Sequence, residues 1–212
     1  MFSDNVVRRL SSYRRLLRVL ASRGTRHVYS HELAALARVT AAQVRRDVMG
    51  LNISGNPARG YDVEALSESI GAAIDNPEGE EVALVGIGKL GRAILAYFEG
   101  RRPKLSIVAA FDTDPEKVNR VIHGCRCYPL DQLENELRRQ NIRCAVVTVP
   151  VDDAQPIATR LVQAGVKGIL NFAPRPLVVP ENVYVESMDV TTALEKVAYF
   201  GRQLQSERKG RE

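Results

Sequence analysis

A glycine-rich turn is the feature of this chain whose residue types and spacing most directly suggest chemistry. Its six residues are Gly86, Ile87, Gly88, Lys89, Leu90 and Gly91. A strand-like apolar run, Val82–Val85, precedes the turn, and a helical pattern, Arg92–Phe98, follows it. In this setting the first glycine permits the turn, the second lets a pyrophosphate approach the backbone, and the third lets helix and strand pack closely. Free amides at the helix start would hold the anion, so the pattern predicts a dinucleotide site.

An acidic residue stands where such a site needs one. A second strand-like run, 106–111, ends in Asp112, which is 21 positions after Gly91. Its carboxylate can accept hydrogen bonds from ribose hydroxyls and would repel a 2′-phosphate, so NAD(H) is favoured over NADP(H). The alternative is that Asp112 and Asp114 cap a helix, with Pro115 at its first position.

The alternation of strands and helices continues beyond this point and predicts an open parallel sheet. Helical patterns cover 131–140 and 154–164, and strand-like runs cover 143–150, 168–172 and 183–186. Ligands of such sheets bind outside the carboxyl ends of the strands. This rule selects Val149, Pro150, Asn171 and Phe172 as pocket lining, with ordinary loop and core packing as the alternative.

The net charge of +5 is unevenly distributed along the chain. Residues 1–60 hold eleven arginines and three acidic residues, whereas the remainder holds more acidic than basic side chains. Such a concentration of positive charge is the electrostatic footprint of a polyanion partner. A solvated basic face is the alternative interpretation.

The basic segment has the periodicity of a helix-turn-helix. Apolar side chains recur on one face of a helix over about 5–22, a short helix is predicted over 31–38 with Ser30 as its cap, and a third begins at Thr40. The second helix of such a motif enters the major groove. In the third helix Val44, Val48 and Leu51 should face the core.

Three side chains of the third helix are predicted to contact DNA, namely Gln43, Arg45 and Arg46. Arginine can bind guanine and glutamine can bind adenine through paired hydrogen bonds, and both can hold phosphate. Asp47 lies nearer the inward side, and it is interpreted as a structural partner for a nearby arginine.

The next segment, 52–61, contains Gly, Asn and Pro at turn spacing and predicts a β-hairpin wing. Arg59 would lie at its tip or on its return strand and would reach phosphates or the minor groove. A solvated loop arginine is an equally good interpretation. A short helix is predicted over 63–74, followed by an acidic domain linker that ends near residue 80.

Other functions find little support in the sequence. Cys125, Cys127 and Cys144 are expected to be reduced and mostly buried, and no metal-ligand spacing is present. No apolar run reaches the length of a membrane span, so the expected location is the cytoplasm. No catalytic acid–base pair presents itself, which favours a binding protein over an enzyme.

The last segment has a seam suited to a partner helix. Val190, Leu194, Val197, Gly201 and Leu204 recur in steps of four and three. Packing against the sheet of its own chain is the alternative. Because a winged helix usually reads a palindrome as a pair, a twofold dimer would favour contact between subunits.

Taken together, four stretches resemble the Rex family of redox-sensing transcriptional repressors. They are Arg9–Tyr13, Val39–Asp47, the glycine turn and Gly165–Pro174. The resemblance covers nearly the whole chain, and the second and fourth stretches are its most specific parts.

The resemblance implies a homodimer with swapped C-terminal helices, inverted-repeat operator DNA and release from DNA when NADH binds. It also implies that Tyr97 lies near the nicotinamide, although a packing aromatic is the alternative. Asp189 would act as a switch with Arg15 as a possible partner, and a simple helix N-cap is its alternative. The wing departs from the family, because Pro57 stands where the family has an arginine.

The sequence therefore predicts an α/β chain with three parts. These are a winged helix-turn-helix domain at 1–76, a Rossmann-like NAD-binding domain at 77–188 and a domain-swapped dimerisation helix at 189–212. Its predicted function is that of a repressor that senses the NADH/NAD⁺ ratio. A small NAD-dependent oxidoreductase and a CoA-binding Rossmann protein remain as alternatives.

Overall fold

The chain folds into two compact units, residues 1–78 and 79–212. The computed structural model describes residues 2–51, 53–100 and 104–209. Within them, no helix is both long enough and apolar enough to cross a membrane. Asn52, the first residue of the predicted wing, lies outside the described residues, as do residues 210–212 at the end of the predicted dimerisation segment.

The first unit is helical with a small antiparallel sheet. In chain order its elements are α1 (Asp4–Ser22), β1 (His27–Val28), α2 (Ser30–Ala37), α3 (Ala41–Met49), β2 (Tyr61–Asp62) and α4 (Val63–Ile74). The strands β1 and β2 pair with each other. The three helices predicted before the wing and the helix predicted at 63–74 are confirmed.

The core of the first unit is built on the inward face of α1. Leu10, Tyr13 and Leu17 are fully buried on that face, as the helical periodicity predicts. They pack with buried side chains of the other helices, including Leu33, Val44, Val48, Leu66 and Ile70. The core therefore fixes how α3 is held against α1.

The helix caps show one departure from the sequence prediction. Thr40 caps α3 as predicted, because its Oγ1 accepts a hydrogen bond from the backbone N–H of Gln43 at 3.1 Å. Ser30 does not cap α2, which begins at Ser30 itself after the N-cap residue Tyr29. The Glu32 carboxylate accepts from the Tyr29 backbone N–H at 2.7 Å, so the acidic first turn satisfies the helix end instead.

The predicted hairpin wing is shorter than the sequence suggests. Asn56 and Gly60 exchange two backbone hydrogen bonds, of 2.8 and 2.7 Å, around a tight turn. The return strand β2 pairs with β1 rather than with a strand in 53–56. The Tyr29 hydroxyl donates to the Ala58 carbonyl at 2.6 Å and so ties the turn to the start of α2.

The second unit is a sheet covered by helices on both faces. Its elements are β3 (Glu80–Val85), α5 (Lys89–Phe98), β4 (Leu105–Asp112), β5 (Val121–Ile122), β6 (Cys125–Pro129), a 3₁₀ turn (Leu130–Gln132), α6 (Leu133–Arg139), β7 (Cys144–Val147), α7 (Val151–Gln163), β8 (Gly168–Asn171), β9 (Tyr184–Ser187) and α8 (Val190–Lys209). The strand order is β5-β6-β4-β3-β7-β8-β9.

The central strand explains why this sheet needs helices on both sides. Val82 and Leu84 of β3 are buried in one apolar cluster, and Ala83 and Val85 are buried in another. A strand whose successive side chains are all apolar must be covered on both faces, as is usual in parallel sheets. In the spatial order of the sheet, every neighbouring pair from β6 to β9 is parallel, as expected of the predicted parallel sheet. Only the edge strand β5 pairs antiparallel, with β6.

The segment after Asp112 corrects the sequence prediction. The predicted helix at Pro115 is replaced by turns, and a β5–β6 hairpin follows them. His123 and Gly124 at its tip both have positive φ, 48° and 73°, which is the geometry of a tight hairpin turn. The backbone N–H of Asn119 donates to the Cys127 carbonyl of β6 at 2.8 Å. This N–H is therefore not available for a hydrogen bond within a helix.

The side chains of the last helix that the structure describes, up to Leu204, do not pack on the sheet of their own chain. Val190, Leu194, Val197 and Leu204 of α8 are between 64% and 68% exposed. This exposure contradicts the alternative that the apolar seam serves the chain's own core. A row of exposed apolar side chains along a helix is typical of an interaction surface.

Candidate functional site

The glycine turn has the close packing that its spacing predicts. Gly86 has a φ of +94°, and a Cβ there would lie 2.9 Å from the Thr148 carbonyl oxygen. A Cβ on Gly91 would lie 2.1 Å from the Gly86 carbonyl oxygen. Both positions therefore require glycine, the first for backbone conformation and the second for contact between helix and turn.

Gly88 differs from its two neighbours in the motif. A Cβ at this position would have no heavy atom within 4 Å, so the protein itself does not require glycine there. Gly88 is the N-cap of α5 and provides no side-chain hydrogen bond to the helix start. The space above Gly88 and the uncapped amides of α5 form an open cradle that suits an anion. Lys89 and Leu90 are exposed at its rim, and Ile87 is fully buried beneath it.

Thr148 supports the turn and was missed by the sequence reasoning. It follows β7, and its hydroxyl donates to the Gly86 carbonyl at 2.6 Å and contacts the Val85 carbonyl oxygen at 3.1 Å. The Gly86 N–H donates to the Phe111 carbonyl of β4 at 2.8 Å. The turn is therefore held from both neighbouring strands. Thr148 lies beside Gly86 only because β7 pairs with β3, and this strand order cannot be read from the sequence.

Asp112 lies at the carboxyl end of β4, next to the glycine turn. Its Oδ2 accepts a hydrogen bond from the Ile87 N–H at 2.6 Å, and its Oδ1 accepts one from the Asp114 N–H at 2.9 Å. Since turns follow instead of a helix, the alternative that Asp112 caps a helix is wrong. Its carboxylate is fixed at the edge of the anion cradle.

Lys117 is a second residue that sequence reasoning missed. Its Nζ lies 3.3 Å from the Asp112 carboxylate and 3.2 Å from that of Asp114. Burial alone lowers the pKa of Lys117, but its contacts with Asp114 and Asp112 outweigh burial and raise that pKa above its usual value. The cation balances two carboxylates at the position expected for the ribose. No motif in the sequence marks it.

The four predicted lining residues lie at the carboxyl ends of β7 and β8, where Val147 pairs with Asn171, the last residue of β8. Val149 and Phe172 are half-buried, and Pro150 is exposed. Asn171 is fully buried, and its side-chain amide donates to the carbonyls of Ala173 and Arg175 at 3.2 and 2.9 Å. Its polar atoms therefore shape the loop after β8. Their role in a ligand pocket stays a prediction.

Tyr97 lies apart from the glycine turn along its own helix. It is nine residues beyond Gly88 on α5, about 13 Å at 1.5 Å per residue, and it is 56% exposed. Its ring packs edge-on against Phe98, with centroids 5.4 Å apart. A position near the nicotinamide stays a prediction.

The cysteines have the environment of structural thiols. Cys125 and Cys127 are buried on β6, and Cys144 is half-buried on β7. Burial raises the pKa of Cys125 to about 12 and those of Cys127 and Cys144 to about 11. Thiols with such pKa values are poor nucleophiles at neutral pH. The described residues contain no cluster of His, Cys, Asp and Glu side chains that could hold a metal ion.

The outer face of α3 carries two of its three side chains predicted to contact DNA, while the third, Gln43, is half-buried. Arg45, Arg46, Ala42 and Met49 are exposed, whereas Val44 and Val48 are buried. Arg45 Nη1 donates to the Ser30 hydroxyl at 3.1 Å, so Ser30 joins α2 to α3 instead of capping α2. The helix therefore presents two guanidinium groups to solvent on one side. Arg59 is exposed in the tight turn of the wing.

Asp47 is buried beneath this face and has the arginine partner that the sequence predicts. Arg9 of α1 donates from Nε and Nη2 to its two oxygens at 2.6 and 2.8 Å. The Tyr13 hydroxyl and the Gln43 side-chain amide also donate to it, at 3.0 and 2.9 Å. Burial alone raises the pKa of Asp47, but these hydrogen bonds outweigh burial and hold that pKa below its usual value.

The two predicted switch residues lie in different units. Arg15 is exposed on α1. Asp189 precedes α8 and accepts hydrogen bonds from the Thr192 N–H at 3.0 Å and from the Thr192 hydroxyl at 2.6 Å. Asp189 thus acts as the helix N-cap in this structure, which was its alternative role. Its pairing with Arg15 stays a prediction.

Two protein families match two separate segments of the chain. Residues 2–48 match the family described as putative DNA-binding protein N-terminus. Residues 78–175 match the family described as CoA binding domain. The first match covers α1, α2 and all but the last residue of α3. The second covers the glycine turn and every strand of the large sheet except β9.

Full-length relatives give a more specific result. The chain is 42% identical to the redox-sensing transcriptional repressor Rex of Anoxybacillus flavithermus, over 91% of this chain and 90% of that protein. It is 41% identical to Rex of Limosilactobacillus reuteri over the same shares. Rex 1 of Enterococcus faecalis is 37% identical, over 91% of this chain and 89% of that protein.

Solved structures agree with the sequence relatives. The crystal structure of RSP, a Rex-family repressor, matches with a TM-score of 0.87 and 30% identity, covering 100% of this chain and 99% of RSP. Structures of RSP with β-NADH, and with β-NAD⁺ and operator DNA, each match with a TM-score of 0.86. With its helical N-terminal unit, its glycine turn and its full-length relatives, the chain belongs to the Rex family of redox-sensing transcriptional repressors.

Proposed function

We propose that this protein represses transcription by binding operator DNA and leaves the DNA when NADH binds. The observation that carries the proposal is the presence in one chain of an exposed arginine face on α3 and an anion cradle at Gly88. Relatives that cover nearly the whole chain are named redox-sensing repressors. The proposed domains are 1–76, 77–188 and 189–212.

The residues at the glycine turn fit an NAD(H) molecule. The open space at Gly88 would admit the pyrophosphate, and the amides at the start of α5 would donate to it. The Asp112 carboxylate would accept from the ribose hydroxyls, with Lys117 holding it in place. A 2′-phosphate would meet that carboxylate, so NADP(H) should bind less well. RSP, the solved relative, has been crystallised with β-NADH and with β-NAD⁺.

The redox state of the ligand would be sensed through charge. NAD⁺ and NADH differ by one charge on the nicotinamide ring, and a closed apolar pocket near Tyr97 would penalise the charged ring. A ligand shifts a conformational balance only by its preference for one state. Moving the balance from 1:99 to 99:1 needs about 5.5 kcal/mol of such preference. NADH would thus favour an arrangement in which the recognition helices no longer fit the DNA.

Binding without turnover is proposed rather than catalysis. The one histidine of the second unit, His123, lies in the β5–β6 turn and faces Glu99 at 3.5 Å. An NAD-dependent oxidoreductase would need an acid–base group beside its substrate. Gln43, Arg45, Arg46 and Arg59 would instead make the functional contacts of the first unit, with DNA.

Replacing Arg46 by alanine should weaken operator binding by about 10- to 100-fold, because a side chain that contacts a base edge contributes about 1–3 kcal/mol. Binding can be measured by gel shift on the promoter region beside this gene. Arg120→Ala is the matched control, since Arg120 is an exposed arginine of the second unit that faces Glu116 at 3.6 Å. Equal operator affinity for wild type and Arg46→Ala would contradict the proposed interface.

The exposed seam of α8 leads us to propose a homodimer. Replacing both Leu194 and Val197 by aspartate should convert the dimer to a monomer, because two charges would be placed in an apolar helix interface. Light scattering coupled to size exclusion gives the mass directly. Glu195→Gln on the same helix should leave the dimer intact. A double variant that keeps the dimer mass would show that α8 does not form the interface.

A further inference from the structure

The side chains of Gln43 and Asp47 lie one turn apart on α3 and are hydrogen-bonded to each other. Gln43 Nε2 donates to Asp47 Oδ1 at 2.9 Å. Gln43 is in the first turn of the helix, and the first residues of a recognition helix are the ones that usually reach base edges. The orientation of its amide therefore decides which base it can recognise.

That orientation is fixed by the chemistry of the two groups. An ionised carboxylate can only accept hydrogen bonds, whereas an amide donates from its nitrogen and accepts at its oxygen. The Gln43 amide must therefore turn its nitrogen toward Asp47, and Oε1 must point the other way. Within the described part of the chain no donor reaches Oε1 of Gln43.

Asp47 is unable to turn away from this position. Its side chain is 2% exposed, and its two oxygens accept four hydrogen bonds, two from Arg9 and one each from Tyr13 and Gln43. Four is about the full acceptor capacity of a carboxylate. Because Arg9 and Tyr13 belong to α1, the core of the domain holds Asp47, and Asp47 in turn holds the amide of Gln43.

We propose that Asp47 determines base specificity, by presenting Gln43 so that it selects adenine over guanine in each operator half-site. The inference rests on the proposed function, in which α3 enters the major groove. In the major groove adenine offers the N6 amino group as a donor and N7 as an acceptor. Oε1 of Gln43 would accept from N6, and the second N–H of its amide would donate to N7. Guanine offers acceptors at both O6 and N7, so its O6 would face Oε1.

The side-chain amide of Gln43 would have to rotate by 180° to donate a hydrogen bond to O6 of guanine. Rotation would place Oε1 against the Asp47 carboxylate. That carboxylate has no hydrogen to donate, so two acceptor oxygens would face each other without a hydrogen bond. Asp47 therefore acts as a positioning residue, since it contacts Gln43 and not the DNA. The expected preference for adenine over guanine is about 10- to 100-fold, the usual range for one paired contact.

The test begins by locating the base that residue 43 reads. Wild type and Gln43→Met are used to select binding sites from duplexes with randomised half-sites. One position of each half-site should show adenine with wild type and lose its preference with Gln43→Met, while the other positions stay the same. Adenine at that position is then replaced by 2-aminopurine, which keeps N7 and still pairs with thymine but lacks the 6-amino group. The replacement should cost wild type about tenfold in affinity and cost Gln43→Met less than about twofold.

A second arm tests Asp47 directly. In Asp47→Asn the new amide can donate to Gln43, so both orientations become possible and the adenine-over-guanine ratio should fall at least about fivefold. Tyr13→Phe is the control, because it removes one donor from Asp47 and leaves the bonds from Arg9 and Gln43 in place. It should keep the wild-type ratio. If Asp47→Asn does not fold, Asp47→Ser takes its place, because a hydroxyl can also both donate and accept. An unchanged adenine-over-guanine ratio in either folded variant would overturn the positioning role of Asp47.

The outcomes separate this inference from the proposed function. Guanine at the position that depends on residue 43, or an unchanged site preference in Gln43→Met, would overturn the inference while leaving a functional repressor. Failure of wild type to select any site would overturn the proposed function and the inference with it.

Discussion

Gly88→Ala should fold with wild-type stability and lose most of its affinity for NADH. The empty protein has no heavy atom within 4 Å of the new Cβ, and the backbone φ of −76° suits alanine. The methyl group would occupy the space through which a pyrophosphate approaches the backbone. We expect NADH affinity to fall about 100-fold, or about 2.8 kcal/mol at 1.4 kcal/mol per tenfold. Calorimetric titration with NADH measures the affinity, and the variant should remain on operator DNA when NADH is added.

Gly91→Ala is the informative comparison. Its Cβ would lie 2.1 Å from the Gly86 carbonyl oxygen, so the turn itself must shift. Such overpacking costs about 1–3 kcal/mol of unfolding free energy, and the displaced amides should also lose the ligand. Thermal unfolding therefore separates the two variants, because only Gly91→Ala should unfold earlier. Wild-type NADH affinity in Gly88→Ala would show that the cradle is not the phosphate site.

Arg9→Met should destabilise the first unit strongly, whereas Arg8→Met should not. Removing Arg9 leaves the Asp47 carboxylate, which is 2% exposed, without its charged partner. Loss of one partner of a buried pair costs about 3–5 kcal/mol. Arg8 pairs with Asp4 on the surface, with side chains 66% and 50% exposed, and such pairs contribute about 0–1 kcal/mol. The two variants change the net charge equally, so non-specific attraction to DNA changes equally.

Urea unfolding followed by circular dichroism measures this difference. Operator binding should fail in Arg9→Met while NADH affinity stays at the wild-type value, since Arg9 and the glycine turn lie in different units. Equal stability of the two variants would show that the Asp47 pair does not hold α3.

The effect of Arg9 should depend on pH in a defined direction. Hydrogen bonds hold the pKa of Asp47 below its usual value in the folded protein, and the unfolded value is about 3.9. A lowered folded pKa contributes stability that is complete above the unfolded pKa and is lost as pH falls through the folded pKa. Wild type should therefore lose this part of its stability only below about pH 4, so the difference between Arg9→Met and wild type should be largest at neutral pH and smaller in acid.

Much of the fold follows from patterns that are local in the chain. The inward face of α1 is defined by Leu10, Tyr13 and Leu17, and all three are buried. The four apolar residues Val82–Val85 predict a strand, and they lie in β3, where they are buried on both faces of the sheet. The inward position of Asp47 on a basic helix predicts an arginine partner, which proved to be Arg9.

The features that were missed depend on pairing between distant segments. The β5–β6 hairpin replaces a predicted helix because β6 joins the edge of β4 and draws Asn119 into pairing with it. Thr148 supports Gly86 only because β7 lies beside β3. Lys117 reaches Asp112 from a turn whose path has no sequence signature. Local periodicity does not report the order of strands in a sheet, so these contacts were not predictable from it.

The reduced dinucleotide, and not the oxidised one, should release this protein from its operator. The most direct measurement is a titration of NADH and, separately, of NAD⁺ into the protein bound to fluorescent operator DNA, with CoA as a control ligand. We predict that NADH lowers the anisotropy to that of free DNA, while NAD⁺ and CoA leave the complex intact at the same concentrations. Equal release by NADH and NAD⁺, or no release by either, would contradict the account.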